Sequence, residues 1–63
     1  MKVRDMWREG VEFEFQDADE LEEWGLGYFT EQVHEEVELL ADAIRKGEPA
    51  QGWASFLGLE LTR

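Results

Sequence analysis

The sequence contains no cysteine and only one proline, one histidine and one tyrosine among its 63 residues. Without cysteine, neither a disulfide nor a thiolate metal site can stabilise so short a chain. No apolar run is long enough to span a bilayer, and the first residues lack the apolar segment of a signal peptide. We therefore expect a single small acidic domain over residues 1–63, located in the cytoplasm and dependent on a small hydrophobic core.

Basic residues are also few. Six Lys and Arg stand against sixteen Asp and Glu, which gives a formal net charge of −10. Such a charge argues against direct binding to nucleic acid or to a membrane surface, because both are anionic, and it favours a basic protein as the partner. With 43% hydrophobic residues, including three Trp and four Phe, the chain is expected to fold rather than remain disordered.

The segment from residue 30 to 46 has the clearest pattern in the chain and predicts the main helix. Its apolar residues recur at three- and four-residue spacing and share one side of the helix: Val33, Val37, Leu40 and Ile44. A row of carboxylates recurs in the same way on the opposite side: Glu31, Glu35, Glu38 and Asp42. The solvent side of any amphipathic helix is polar, but like charges at this spacing destabilise a helix and no Lys offsets them. The row therefore predicts an anionic docking surface.

The ends of this helix are marked by residues that favour a start or a stop. The Thr30 hydroxyl is expected to cap the first turn. Arg45 and Lys46 complement the negative end of the helix dipole. Gly47 can adopt the left-handed conformation of a C-cap, and Pro49 prevents continuation.

An N-terminal hairpin is predicted from strands over residues 2–7 and 11–15, where apolar and charged residues alternate. A three-residue loop ending at Gly10, in the left-handed conformation, would join them. The register that follows places Asp5 opposite Phe13 on the apolar side. Asp5 therefore marks either a sheet edge or a wrong register.

A second helix, short and acidic, is predicted over residues 17–24. Asp17 and Glu20 have the spacing of a capping box, and Gly25 would end the helix before a flexible connector over residues 25–29. The acids of this segment form a second anionic surface: Asp19, Glu20, Glu22 and Glu23.

The C-terminal part of the chain is predicted to form a strand from about residue 57 to residue 62. Residues 53–57 fit either helical or strand spacing, so a turn or short helix is expected before it. The whole pattern predicts an α+β fold. A small antiparallel sheet, made of the N-terminal hairpin plus a C-terminal strand, packs against one main helix and is accompanied by the short acidic helix.

Two aromatic residues are candidates for partner contact. Tyr28 and Trp53 lie in glycine-flanked segments and are expected to be partly exposed, although core filling is the ordinary role of such side chains. An exposed aromatic ring beside acids is typical of an interface hot spot, where a rigid anchor is surrounded by steering charges.

Catalytic chemistry finds little support in the sequence. His34 has Glu31 and Glu38 at helical spacing, but a lone histidine on a helix is usually a surface residue, and divalent metal sites need further ligands. Ser55 has no neighbouring base. We therefore predict no catalytic residues, no metal site, no cofactor and no enzymatic activity.

The expected function is that of a small acidic inhibitor or regulatory binding protein. Its carboxylate-rich surface would occupy a basic, nucleic-acid-binding site on a partner protein, since carboxylates on successive turns lie about 5 to 6 Å apart, comparable to the spacing of phosphates. In size and charge the chain resembles the short acidic proteins with which phages block restriction, CRISPR or host DNA enzymes. Two alternatives are an accessory or self-assembling module, such as a homodimer, that uses exposed aromatics, and an antitoxin-like neutraliser of a basic protein.

Overall fold

The computed structural model describes residues 1–62. Three antiparallel strands form one sheet in the order β2-β1-β3, with β1 at Lys2–Asp5, β2 at Val11–Glu14 and β3 at Leu59–Thr62. Three helices accompany the sheet: α1 at Ala18–Tyr28, α2 at His34–Arg45 and α3 at Gln51–Phe56. The predicted α+β fold is confirmed, including the pairing of the C-terminal strand with the N-terminal hairpin and the packing of the main helix against the sheet.

The register predicted for the hairpin is wrong. Val3 pairs with Phe13, and Asp5 pairs with Val11, because the connection is longer than three residues. A 3-10 turn occupies Met6–Arg8, and the carboxylate of Asp5 accepts a hydrogen bond from the backbone N–H of Trp7, which starts that turn at the end of β1. Asp5 is therefore the cap of a turn at the end of the central strand.

Helix α1 begins as predicted and ends later than predicted. The Asp17 carboxylate accepts a hydrogen bond of 2.9 Å from the backbone N–H of Glu20. The helix does not end at Gly25 but continues to Tyr28, so the predicted flexible connector is instead its last turn. Gly25 is buried because it faces Val37 of α2, where a Cβ would lie 2.6 Å from the Cγ1 atom. This glycine lets the two helices approach closely.

The main helix begins later than predicted and ends as predicted. A 3-10 turn at Glu31–Val33 precedes α2, and Thr30 makes no side-chain capping hydrogen bond, so its predicted role is wrong. At the other end Gly47 has a φ of 71°. Its N–H donates to the carbonyl of Ile44, and the N–H of Glu48 donates to that of Ala43. This pair of bonds is the Schellman arrangement that terminates helices.

The core lies between the inner face of the sheet and the three helices. Residues 53–57, which the pattern left open, are helical up to Phe56. On the inner side, the rings of Phe13, Phe15, Trp24, Tyr28 and Phe29 form one aromatic cluster with centroid distances from 4.5 to 6.5 Å. The largest fully buried side chains are Val3, Leu21, Val37, Leu40 and Leu59.

Candidate partner-binding surface

The carboxylate row faces solvent, as the helical pattern predicts. All four of its residues are exposed, while Val37, Leu40 and Ala41 of the same helix are buried. Within residues 1–62, no ion pair engages Glu31, Glu35 or Glu38. Glu31, in the turn before α2, and Glu35 and Glu38, on α2 itself, are thus exposed carboxylates without an intramolecular cation in the described chain.

A second group of acids meets the end of this row through a single cation, Arg45. Its guanidinium Nη2 lies 2.5 Å from a carboxylate oxygen of Asp19 and also contacts Glu22, both on α1. Its Nη1 donates to Asp42, the last member of the row, at 2.8 Å. Because α1 and α2 run antiparallel, Arg45 joins their two acidic surfaces at one end of the helix pair.

This arrangement divides the predicted binding residues into two groups. Asp19, Glu22 and Asp42 already have a cation, and their hydrogen bonds raise the pKa of Arg45 above its ordinary value, with the bond to Glu22 contributing most. Glu20 and Glu23 lie exposed on α1 and pair with no cation in the part of the chain described. The predicted binding residues without a cation in the described chain are therefore Glu20, Glu23, Glu31, Glu35 and Glu38.

Tyr28 is partly exposed, as predicted, but it lies on a helix and not in a flexible connector. It lies in the last turn of α1, is half-buried, and its hydroxyl donates a 2.7 Å hydrogen bond to the buried carboxylate of Asp5. This bond, together with desolvation, raises the pKa of the Tyr28 phenol. The guanidinium of Arg8 lies 5.2 Å from the centre of the same ring. Tyr28 thus links α1 to the end of β1 instead of standing free as an anchor.

Exposed apolar side chains lie mainly around the turn between α3 and β3. Trp53 is 40% exposed and Phe56 is 65% exposed, both on α3. Trp7 is 82% exposed, although its indole covers Gly58, where a Cβ would fall 1.7 Å from the ring nitrogen. Met6 neighbours this turn through the hydrogen bond of its N–H to the Gly58 carbonyl. The exposed aromatic side chains therefore include Trp53, which was predicted to be partly exposed, and Trp7 and Phe56, which were not.

His34 contributes a contact between the two long helices. Its Nε2 donates to the carbonyl oxygen of Phe29 at 3.1 Å, which ties the start of α2 to the end of α1. Among residues 1–62, no group of three or more acidic, histidine or cysteine side chains is arranged to hold a metal ion. Over the same residues, no helix has both the length and the apolar character needed to cross a membrane.

Comparisons with protein-family models, with curated proteins and with solved structures find no match to this chain. The surfaces described above are therefore the features of this chain that indicate a function.

Sequence reasoning assigned Arg45 only to the helix dipole and missed its contacts with α1. The signal available was its isolation, because Arg45 and Lys46 are the only basic residues between Arg8 and Arg63. Two adjacent basic residues among so many acids are expected to attract carboxylates from neighbouring elements. The exposed Trp7 and Phe56 were also missed, since both fit the apolar pattern of their segments.

Proposed function

We propose that this chain is a small acidic inhibitor or regulatory protein whose α1–α2 surface occupies a basic, nucleic-acid-binding site on a partner protein. The observation that supports the proposal is the uncompensated row of three exposed glutamates, with Glu31 in the turn before α2 and Glu35 and Glu38 on its solvent side. No Glu–Lys pair stabilises the helix along this row, and a basic partner would supply the missing cations. Its mechanism would be steric and electrostatic occlusion of the groove.

The electrostatics of this surface favour fast encounter with a cationic groove. Glu20 and Glu23 on α1 extend the negative potential beyond α2, while Arg45 fixes the two helices relative to each other. Complementary potentials of this kind raise association rates. Such binding weakens as salt increases, because exposed charges are screened.

The test begins with capture of partners from a bacterial lysate on the immobilised protein and elution with a salt gradient. A nucleic-acid-binding protein that elutes as salt rises, and that DNA or RNA displaces, supports the proposal. The variant Glu35→Lys/Glu38→Lys should then lose that partner. The matched control Glu9→Lys/Glu48→Lys makes the same change in net charge on exposed residues outside the helix pair. Equal capture by both variants, or a partner indifferent to salt, would contradict the proposal.

A second candidate function rests on the exposed aromatic side chains. Trp7, Phe56 and Trp53 present aromatic surface that could support self-association or docking onto a larger assembly. Light scattering over a range of protein concentrations separates this candidate from the first. Self-association that persists at high salt and is lost in Trp7→Ala/Phe56→Ala favours the apolar interface.

An antitoxin-like function shares the charge argument and differs only in the partner captured. Recovery of a basic toxin in place of a nucleic-acid-binding regulator or nuclease would favour it.

A further inference from the structure

The two edges of the sheet differ. At the outer edge of β3, the side-chain amide of Gln51 takes the place of a neighbouring strand. Its Nε2 donates to the carbonyl of Leu59 at 3.1 Å, and its Oε1 accepts from the N–H of Leu61 at 2.9 Å. This edge is therefore covered by the chain itself.

The outer edge of β2 has no such cover among the described residues. Met1 and Phe15 exchange hydrogen bonds, since the Phe15 N–H donates to the Met1 carbonyl and the terminal amine donates to the Phe15 carbonyl. Hydrogen-bonded pairs alternate along antiparallel strands, so Val3 and Phe13 form the next such pair. The N–H and C=O groups of Glu12 and Glu14 consequently point away from β1, toward solvent.

The side chains of β2 define what a further strand would need. Glu12 and Glu14 are exposed on the outer face of the sheet, opposite Arg4 and Lys2 of β1. Phe13 lies between them on the inner, apolar face. Through its other edge, β2 already pairs with β1. There the basic–apolar–basic triplet of residues 2–4 lies opposite the acidic–apolar–acidic triplet of residues 12–14.

A second copy of the chain does not meet this requirement through the same edge. Pairing of β2 with β2 of another copy would set glutamates against glutamates, and like charges directly opposite each other destabilise a sheet. Strand β3 contributes Glu60 to the outer face, and Gln51 occupies its edge. The occupant of the β2 edge must therefore come from a different, basic chain.

We propose that the free edge of β2 binds an extended segment of a partner protein as an antiparallel fourth strand, with a basic–apolar–basic triplet opposite Glu14, Phe13 and Glu12. Main-chain hydrogen bonds to Glu12 and Glu14 supply affinity, and their carboxylates select Lys or Arg in the partner. The site lies on the sheet and involves no residue of the carboxylate row. It rests on the proposed function, a basic protein partner, and adds a second surface that would bind it.

The test uses isotopically labelled protein and a short synthetic peptide with blocked ends and the centre Lys-Ile-Arg between threonines. Nuclear magnetic resonance should show shifts and slowed amide exchange centred on Glu12 and Glu14 as the peptide is added. The same peptide with N-methyl groups on its two basic residues keeps its charge but loses the two main-chain donors. We expect it to bind about tenfold more weakly or worse.

Two variants separate the edge from the helix surface. Glu12→Gln/Glu14→Gln should weaken binding of the unmodified peptide about two- to thirtyfold, the effect of two opposite-charge pairs across strands. Glu35→Gln/Glu38→Gln removes the same charge from α2 and should weaken binding of the peptide less than the β2 variant does. Circular dichroism verifies that both variants remain folded.

Three outcomes would overturn the proposal: equal binding of the N-methylated peptide, shifts confined to α2 with loss of binding in the α2 variant, or no binding at millimolar peptide. None of these decides whether the helix row binds a folded basic partner. Failure of the strand site is therefore distinguishable from failure of the proposed function.

Discussion

Gly25 of α1 lies directly against Val37 of α2, where a Cβ would come within 2.6 Å of the Cγ1 atom. A methyl group there must push the helices apart or force Val37 out of its rotamer. Although alanine favours helix more than glycine does, overpacking of a buried contact costs more. We expect Gly25→Ala to lower the free energy of unfolding by about 1 to 2 kcal/mol.

Gly27 is the matched control, because it belongs to the same helix and a Cβ there would meet nothing within 4 Å. Gly27→Ala should raise the free energy of unfolding by about 0.5 to 1 kcal/mol, the usual gain of alanine over glycine in a helix. Urea denaturation of both variants measures the difference. Opposite signs are the expected result, and a stabilised Gly25→Ala would show that the helices are not closely packed.

Tyr28 should make stability fall at alkaline pH. Its hydrogen bond to Asp5 favours the neutral phenol, so its pKa in the folded protein lies above the value of about 10 in the unfolded chain. The folded state then holds a proton that the unfolded state has released. This contribution is complete below pH 10 or so and is lost as pH rises through the folded pKa.

Ultraviolet absorbance of the phenolate measures this pKa directly, because Tyr28 is the only tyrosine. Tyr28→Phe should be less stable at neutral pH, since Asp5 loses one of its two donors, and should lack this alkaline fall in stability. A phenol that titrates at or below the ordinary value would contradict the hydrogen bond.

Arg45 should stabilise the helix pair by charge and geometry together. Arg45→Ala leaves Asp19, Glu22 and Asp42 close together without a cation. We expect a lower midpoint of thermal unfolding that added salt partly restores, because salt screens the repulsion. Lys46→Ala removes the same charge from an exposed neighbour that makes no ion pair within residues 1–62, and should change the midpoint much less.

Gln51 should protect the edge of β3. Gln51→Ala removes both side-chain bonds to that strand, at about 0.5 to 1.5 kcal/mol each, and exposes its backbone. We expect lower stability together with concentration-dependent association, because open edges pair with other chains. Gln16→Ala, a change at an exposed glutamine without these contacts, is the control. Loss of stability without any association would mean that β3 remains protected in another way.

The elements that could be predicted are those whose signals are local. Helical spacing identified α2 and its acidic row, and the Asp17 cap identified the start of α1, because each depends on residues a few positions apart. Alternation identified β2 for the same reason. The solvent exposure of Glu31, Glu35 and Glu38 followed directly from their place opposite the buried stripe.

What could not be predicted depends on residues distant in sequence. From local sequence, Gly25 was predicted to end the helix. Its contact with Val37, which needs a residue without a side chain, explains why a glycine stands inside α1. Asp5 is an anomaly in the strand pattern until Tyr28, 23 positions away, donates to it. Arg45 similarly acquires its role from acids on α1, 23 and 26 positions earlier.

The sheet joins opposite ends of the described chain. Lys2 of β1 pairs with Thr62 of β3, and a hydrogen bond links the two residues across 60 positions. The hairpin of β1 and β2 and the pair α1–α2 close over short loops, whereas this contact requires nearly all of the chain to be in place. During synthesis on a ribosome, the backbone groups on one side of β1 therefore remain unpaired until residues 59–62 emerge. We expect the addition of β3 to the sheet to be the late step of folding, completed only after β3 has left the exit tunnel.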